Sequence, residues 1–374
     1  MEHYALLFLD TAIVVSCAVM ALVFLILPLP QNKGLHKYRI SLRFLAGAYM
    51  IMALVKTSAI VFNVAIVNLI PMDGLVIASF QAPLFTFALI TLINPQSIKK
   101  CYFCTQLIPI LIFVFVFILA DYKWGNPSIR TFAELRLNAL QPTVIIRELF
   151  LLYYVYQLVY LIRIFSLHKN IYEKSIDNYF AENFHLQLAG VRQYFYSALI
   201  VGVLALTSCF ILSPLWMVIF EISYSLFYVI FGLYYIQYPN KFTHIEPAIY
   251  PVISSTEKPI NSKKRLVWDD FRHHVITNKY YLKPGVTIED MAQYLKIGRT
   301  TLSTFINTEE KMNFNLWINS LRVEEAKCLL IDYPDYNLTQ IAELIGYSEP
   351  SNFSRQFKLI TNESPSVWRQ SCQS

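Results

Sequence analysis

One pattern of apolar residues occurs twice near the C-terminus, in IEDMAQYLKIGRTTLSTF (residues 288–305) and in LTQIAELIGYSEPSNFSRQF (residues 338–357). The first copy carries Ile288, Met291, Ala292, Leu295 and Ile297, and the second, 50 residues later, carries Leu338, Ile341, Ala342, Ile345 and Tyr347. Beyond the turn the offset becomes 51, where Leu302 and Ile306 correspond to Phe353 and Phe357. Helical spacing on both sides of a turn indicates a helix-turn-helix, so the repeat predicts two such units.

The chain as a whole is too apolar for a soluble protein of this length. Of its 374 residues, 56% are hydrophobic and 15% are charged, and the mean hydropathy is +0.44. Most of the region before the repeat must therefore face lipid. Its apolar runs predict seven spans, at residues 4–29, 44–70, 75–93, 105–120, 144–165, 194–212 and 215–236. The first run ends without a small-residue cleavage site, which indicates a spanning helix and not a removable signal peptide.

Three regions of different composition divide the chain. Residues 1–236 form the predicted transmembrane domain, a bundle of seven helices. Residues 237–262 contain four prolines, at 239, 247, 251 and 259, which exclude a continuous helix and predict a partly extended linker. Residues 263–374 hold the repeat and form a second domain. We therefore predict an all-α protein with two domains.

Basic residues between the spans predict the orientation in a membrane, because positive charge stays on the cytoplasmic side. The first, third and fifth connections carry nine Lys and Arg residues, whereas the fourth carries three and the second and sixth carry none. This asymmetry places the N-terminus outside and, after seven crossings, the repeat in the cytoplasm. We expect a multi-pass protein of the bacterial inner membrane.

Three ionisable residues within the spans are candidates for a sensing site, because buried charge in a membrane is costly. Asp10, Lys56 and Glu221 are predicted to reach a similar depth toward the outer side. They would form either a charge cluster that faces a cavity and responds to a ligand or to protonation, or a structural ion pair within the bundle. In contrast, the tyrosine pairs near span ends, such as Tyr153-Tyr154 and Tyr234-Tyr235, are expected to lie at the membrane interface.

The outer connection between the fourth and fifth spans is the long segment expected outside. Ile129, Phe132, Leu135 and Leu137 predict a short amphipathic helix in it. This helix would pack on the bundle or contact a signal.

Residues 288–369 resemble the DNA-binding domain of the AraC/XylS family of bacterial transcription regulators. The similarity covers TIEDMA (287–292), LSTF (302–305), WINSLRVEEAKCLL (317–330), IAELIGY (341–347), NFSRQFK (352–358) and SPSVWR (364–369). It implies seven helices, with two helix-turn-helix units joined by one long helix over Phe314–Ile331. Trp317 on that helix is expected to belong to the core and not to a ligand platform.

The resemblance also implies which side chains meet DNA. We expect exposed contact residues at Arg299, Thr300, Ser303 and Thr304 on the first recognition helix, and at Pro350, Ser351, Asn352, Arg355 and Lys358 on the second. Asn352 is suited to a bidentate contact with adenine, whereas Arg355 is either exposed to DNA or bound within the protein. The expected partners are promoter DNA, a second copy of the chain on that DNA, RNA polymerase and the lipid bilayer.

Charge and three departures from the family pattern qualify this interpretation. Residues 262–374 hold 14 Lys/Arg against 13 Asp/Glu, so binding must rest on geometry and particular residues more than on a strong positive field. Gly298 replaces a capping Ser, and Lys311 and Asn362 replace Gly, where Asn tolerates a left-handed backbone more readily than Lys.

The sequence thus predicts a membrane-embedded, one-component transcription regulator in which the membrane domain senses a signal or serves as an anchor. It gives no catalytic residues, metal ligands or cofactor motif, and we expect no enzyme activity. Two other interpretations remain open: a transporter or membrane enzyme that carries a regulatory module, and a passive tether whose cleavage in the linker releases the DNA-binding domain.

Overall fold

The computed structural model describes residues 2–28, 36–62, 68–94, 100–182, 185–237 and 263–373. In these ranges the regular secondary structure is helical, and an isolated bridge pairs Phe180 with Thr287. The chain divides into an N-terminal unit, Met1–Ile171 and Ala189–Glu246, and a C-terminal unit, Tyr172–Leu188 and Pro247–Ser374. The predicted all-α class is confirmed, whereas the inclusion of Tyr172–Leu188 in the C-terminal unit was not predicted. Apart from Gln237, the predicted linker lies outside the described residues.

Over the described residues up to Ile236, eight helices follow one another. They are α1 (Glu2–Ile26), α2 (His36–Phe62), α3 (Met72–Ile93), α4 (Lys100–Trp124), α5 (Phe132–Leu137), α6 (Pro142–Asp177), α7 (His185–Ser208) and α8 (Pro214–Ile236). All except the short α5 contain a segment long and apolar enough to cross a membrane. The number of such helices equals the number of predicted spans.

Several helices extend beyond the predicted apolar runs. Helix α2 begins at His36, ahead of the expected Phe44, and the described residues 68–70 are not helical. Ile70 has a positive φ of 53° and precedes Pro71, a position where helical backbone is disfavoured. Helices α4 and α6 continue through polar residues to Trp124 and Asp177. Apolar composition marks what lipid can solvate, whereas backbone hydrogen bonding determines where a helix ends, and the two limits differ.

The short helix predicted in the outer connection is present as α5. The Thr131 hydroxyl accepts a hydrogen bond from the Glu134 amide at 3.2 Å, and the Glu134 carboxylate accepts from the Arg130 amide at 2.7 Å. These two bonds cap its start. Ile129 is buried, whereas Phe132 and Leu137 are exposed, so only part of the predicted apolar face packs on the protein.

Tyrosine hydroxyls join the helices of the N-terminal unit. Tyr49 on α2 donates to the Tyr228 carbonyl of α8 at 2.7 Å, and Tyr235 on α8 donates to the Ala88 carbonyl of α3 at 3.0 Å. Tyr154 on α6 donates to the Gly202 carbonyl of α7 at 3.1 Å. Tyr154 and Tyr235 are buried between helices and are not exposed at the surface of the unit, whereas their depth in a membrane stays a prediction. Each hydroxyl meets a helix carbonyl, which satisfies it away from water.

Over residues 263–373, the C-terminal unit contains the seven helices that the resemblance implied. They are α9 (Lys263–Thr277), α10 (Ile288–Tyr294), α11 (Arg299–Phe305), α12 (Phe314–Asp332), α13 (Leu338–Leu344), α14 (Pro350–Thr361) and α15 (Pro365–Gln373). The long helix α12 begins at the predicted residue and ends one residue later than expected. Trp317 on this helix is buried against Trp268 and Phe314, as predicted for a core residue.

The repeat is visible in individual backbone bonds. Thr287 and Asn337 each cap a helix by accepting from the amide three residues later, and Asp290 and Gln340 return the bond, which completes two capping boxes. At the other end of each helix, the amide of Ile297 donates to Ala292 and the amide of Tyr347 donates to Ala342. The offset of 50 residues therefore holds for caps and turns as well as for the core.

Left-handed backbone occurs at the positions that the family pattern indicated. Lys311 has a φ of 57° and Asn362 a φ of 66°, so both occupy the conformation expected of the Gly they replace. Gly298 precedes α11 without a side-chain cap. The two turns of the repeat differ in one respect: Lys296 has a φ of 55° where Gly346, 50 residues later, has a φ of 84°.

The surroundings of the two turns predict that glycine is required in only one of them. A Cβ at Gly346 would lie 2.1 Å from the Leu282 carbonyl oxygen. We expect Gly346→Ala to lower the stability of the C-terminal unit by about 2 kcal/mol or more, because strained φ and overlap add. The matched Lys296→Gly should change it by less than about 1 kcal/mol. Hydrogen exchange in the full-length protein measures both, and equal effects would contradict the prediction.

Candidate functional site

The two recognition helices are placed by the buried sides of the repeat. Leu302 and Phe305 on α11, and Phe353 and Phe357 on α14, are almost completely buried. Helix α12 packs against α14 through a core that includes Val323 and Ala326. The opposite sides of α11 and α14 are therefore left for contacts with another molecule, as in other helix-turn-helix proteins.

The first recognition helix presents small polar side chains. Thr300 is exposed, and Ser303 and Thr304 are partly exposed. The Ser303 hydroxyl accepts a hydrogen bond from the Asn307 side chain at 3.2 Å, and the Thr304 hydroxyl donates to the Thr300 carbonyl at 2.8 Å. Arg299, at the start of the helix, is half-buried.

The second recognition helix presents Ser351, Arg355 and Lys358 as exposed side chains and Pro350 as a partly exposed one. The expected exposure of Asn352 is wrong, because this residue is only 6% exposed. The Asn352 Oδ1 atom accepts a hydrogen bond of 2.6 Å from Nη2 of Arg355, one helical turn away. Since arginine alone carries the charge of this pair, the bond is charge-assisted and holds the guanidinium group at the helix surface.

A four-residue segment between α6 and α7 contacts this domain, and we name Tyr179–Glu182 the connection segment. Its backbone pairs with the strand-like residues before α10: the Ile288 amide donates to Tyr179 at 2.9 Å, and the Ala181 amide donates to Val286 at 3.2 Å. The sequence did not predict this contact. Its pairing joins residues about 100 positions apart, and no periodic pattern marks it.

The side chains of the connection segment reach toward both recognition helices. The ring of Tyr179 lies 4.7 Å from the Arg299 guanidinium, and its hydroxyl donates to Glu289 at 2.8 Å. Burial, with Glu289 as the next cause, raises the pKa of Tyr179 well above its ordinary value, so this hydroxyl remains a donor. Burial also lowers the pKa of Arg299. Glu182 accepts from the Gly285 amide at 3.1 Å and from the Ser348 hydroxyl at 3.3 Å.

The linking helix α12 supplies polar partners to the same segment. Nδ2 of Asn315 donates to the carbonyls of Phe180 and Ala181 at 3.1 and 2.9 Å, and Nδ2 of Asn319 donates to Ala181 at 2.8 Å. Arg322, whose side chain is fully buried, donates to the Tyr281 and Lys283 carbonyls, each at 2.8 Å. Its Nη1 atom lies 3.8 Å from Oε1 of Glu182.

In the N-terminal unit, the three predicted charged residues lie together. Nζ of Lys56 on α2 lies 2.8 Å from Oδ1 of Asp10 on α1 and 2.5 Å from Oε1 of Glu221 on α8. The cluster has two acids for one base. The second carboxylate oxygen of Glu221 is buried without a hydrogen-bond partner among the described residues.

Lys56 and Glu221 also line a cavity of about 310 Å³. Its wall is mostly apolar and aromatic, with Phe85, Tyr224 and Tyr228 among the lining residues. The three residues therefore form an ion-pair network, and two of its members lie at the wall of a cavity.

Comparisons with known proteins give matches to helix-turn-helix regulators. Residues 291–371 match the family model described as a helix-turn-helix domain. The chain is 33% identical over 87 residues to the raffinose operon transcriptional regulatory protein RafR of Pediococcus pentosaceus, which is 23% of this chain and 31% of that protein. It is 27% identical over 90 residues to the regulatory protein PocR of Salmonella typhimurium, 24% of this chain and 29% of that protein. No solved structure matches the chain.

These alignments span less than a third of either relative, so the similarity concerns one domain. That domain has two capped helix-turn-helix units in register with the repeat, joined by a single long helix. The C-terminal part of this chain is therefore a helix-turn-helix domain, similar to the corresponding domain of these two regulators.

Proposed function

We propose that the protein is a one-component transcription regulator embedded in the bacterial inner membrane, with its N-terminus outside and its DNA-binding domain in the cytoplasm. The observation that carries the membrane part is the exposed apolar surface of the N-terminal unit. On α4, Leu111, Phe115 and Ile118 are 61%, 62% and 58% exposed. Continuous apolar surface of this kind is unfavourable in water and is solvated by lipid tails.

The DNA contacts proposed for the two recognition helices differ in character. Thr300, Ser303 and Thr304 offer short hydroxyl groups that discriminate weakly between bases, whereas Arg355 can donate two hydrogen bonds to guanine. Because Asn352 is buried and holds Arg355, we assign it a positioning role in place of the adenine contact expected from the sequence. Arg299, Pro350, Ser351 and Lys358 flank these residues and are proposed to contact the backbone or adjacent bases.

Binding by one copy of the domain is expected to be weak without a second copy. The excess of one positive charge over residues 262–374 gives little sequence-independent affinity. A homodimer on two half-sites would join two such contacts and raise the affinity through effective concentration. RNA polymerase is then the expected protein partner at the promoter. The name of the relative from Pediococcus pentosaceus does not indicate that raffinose is the signal here, because the similarity lies in the C-terminal unit and the proposed sensing part is the N-terminal unit.

We further propose that the N-terminal unit senses a signal through the cluster of Asp10, Lys56 and Glu221. The support is the position of Lys56 and Glu221 at the wall of a cavity. A small and largely apolar molecule with one polar group fits the mixture of aromatic wall and charged cluster. It would regulate the protein by binding one conformation of the bundle better than another.

The first prediction from this proposal concerns Arg355. We expect Arg355→Ala to weaken binding to promoter fragments by about 1–3 kcal/mol and to relax the sequence preference at one position. Asn352→Ala should weaken binding in the same direction, with little further loss in the double variant, because both act through one guanidinium group. Lys358→Ala serves as the control: it should lower affinity uniformly across sequences and reduce the salt dependence. Additive effects of Asn352 and Arg355 would contradict the positioning role.

The second prediction concerns location and DNA occupancy. Full-length protein should fractionate with the membrane and occupy a limited set of promoters, mapped genome-wide by cross-linking and immunoprecipitation. A strain that makes only Ser262–Ser374 tests whether the N-terminal unit is needed for occupancy and for its response to growth conditions. A soluble C-terminal fragment on DNA in the wild type would favour release by proteolysis. An absence of specific binding sites on DNA would refute the proposal that the protein regulates transcription.

The third prediction separates the two roles of the charge cluster. Glu221→Gln removes one of the two acids that hold Lys56, and a sensing role predicts changed promoter occupancy per molecule at an unchanged amount of membrane protein. A purely structural role predicts less protein and unchanged occupancy per molecule, because a broken buried pair destabilises the bundle by about 3–5 kcal/mol. Glu148→Gln, a partly buried acid on α6 that does not line the cavity, is the matched control.

A further inference from the structure

The connection segment belongs by its contacts to the DNA-binding unit but by its chain position to the spans. It lies between α6, which ends at Asp177, and α7, which begins at His185. We propose that it is an intramolecular ligand that lowers the affinity of the domain for DNA while docked, and that the membrane spans regulate the protein by releasing it. This inference rests on the proposed function, because it assumes that α6 and α7 are membrane helices.

The docking is specific because it uses backbone and side chains together. Two backbone bonds, which together form the isolated bridge between Phe180 and Thr287, align the segment with the residues before α10. The buried amide of Asn315 then donates to two successive carbonyls of the segment. Such paired bonds require one register and one direction of the chain, which distinguishes this contact from a loop that merely lies on the surface.

Asn319 and Arg322 lie in the sequence that resembles the family pattern, so their bonds within the domain do not require the connection segment. Glu182 and Tyr179 come from a different part of the chain, so their contacts belong to the docking itself. Glu182 brings a carboxylate to the amide of Gly285, to the hydroxyl of Ser348 and to within 3.8 Å of Arg322. A segment without this carboxylate would leave Nη1 of Arg322, which has no hydrogen-bond partner among the described residues, without a nearby countercharge.

The docked segment occupies positions that bound DNA would need. Tyr179 stacks on Arg299 at the start of the first recognition helix. Glu182 binds Ser348, two residues before the second recognition helix begins at Pro350. Base and phosphate contacts of a helix-turn-helix concentrate at these N-terminal ends, and a carboxylate there repels phosphate. Docking and DNA binding should therefore oppose one another.

The covalent connection to the spans allows them to regulate the docking of the segment. Both ends of the segment are covalently joined to predicted membrane helices, so its local concentration near the domain is high and it can remain docked through bonds that would be weak between separate molecules. A change in α6 or α7 that pulls the segment away shifts the population toward the undocked state. The apparent affinity for DNA then rises with the undocked fraction.

The first experiment measures docking without DNA. Full-length protein in lipid nanodiscs is compared with Glu182→Ala and Asn315→Ala by hydrogen exchange of peptides that cover residues 179–182 and 285–288. Both variants should exchange faster in both peptides, because each removes bonds from a different side of the same contact. Unchanged exchange in both variants would overturn the docked segment.

The second experiment measures binding to promoter fragments recovered with the wild-type protein. We expect Glu182→Ala to lower Kd by roughly threefold to tenfold, since lost charge-assisted bonds shift the domain to the undocked state. Asn315→Ala should lower Kd in the same direction although it changes no charge. Tyr179→Phe, which keeps the ring at Arg299 and loses only the hydroxyl bond to Glu289, should have a smaller effect.

Glu363→Gln is the matched control for charge, because Glu363 is an exposed acid on the same domain beyond the end of α14. If it tightens binding as much as Glu182→Ala, general electrostatics explains the result and the proposal fails. Weaker binding by Glu182→Ala and Asn315→Ala would show that docking supports DNA binding, which also overturns the proposal. Failure of the wild-type protein to bind any DNA would refute the proposed function, and hydrogen exchange would still report on docking.

Discussion

The C-terminal unit depends on the interactions of one buried group, the guanidinium of Arg322. It extends from the linking helix α12, donates to the carbonyls of Tyr281 and Lys283, and lies 5.0 Å from the ring of Tyr347. A buried charge without such partners would destabilise the domain by several kcal/mol. The guanidinium group therefore connects the short helical turn that contains Tyr281, the linking helix α12 and the turn of the second helix-turn-helix unit. Burial lowers the pKa of Arg322, with Tyr347 and Glu182 acting against the shift.

Arg322 also connects the helix-turn-helix units with the connection segment. Its fourth neighbour is Glu182, which comes from between two predicted spans. The Tyr347 hydroxyl donates to Oδ1 of Asn319 at 2.5 Å, and the amide group of Asn319 donates to the connection segment. One continuous polar network thus extends from the second helix-turn-helix unit to the connection segment. A change can be transmitted through a network of this kind, provided that the network has two arrangements.

The N-terminal unit is built on different chemistry. Its helices present apolar side chains to the surroundings and satisfy several of their polar groups internally, through tyrosine hydroxyls on helix carbonyls and through the cluster at Lys56. Internal satisfaction is what a bilayer demands, because lipid offers no hydrogen bonds. The cluster holds two acids for one base, and Lys56 and Glu221 line a cavity.

The sequence by itself determined the all-α class, the seven apolar helices, the two helix-turn-helix units and their register, because these depend on local spacing of apolar and capping residues. It also predicted that Asp10, Lys56 and Glu221 lie at one depth, since charges in spans need partners. Only the tertiary structure showed that Asn352 is buried beneath Arg355, that Tyr154 and Tyr235 are internal, and that Tyr179–Glu182 packs on the DNA-binding domain. These features depend on which face a neighbouring helix covers and on backbone pairing between distant residues. Neither leaves a periodic trace in the chain.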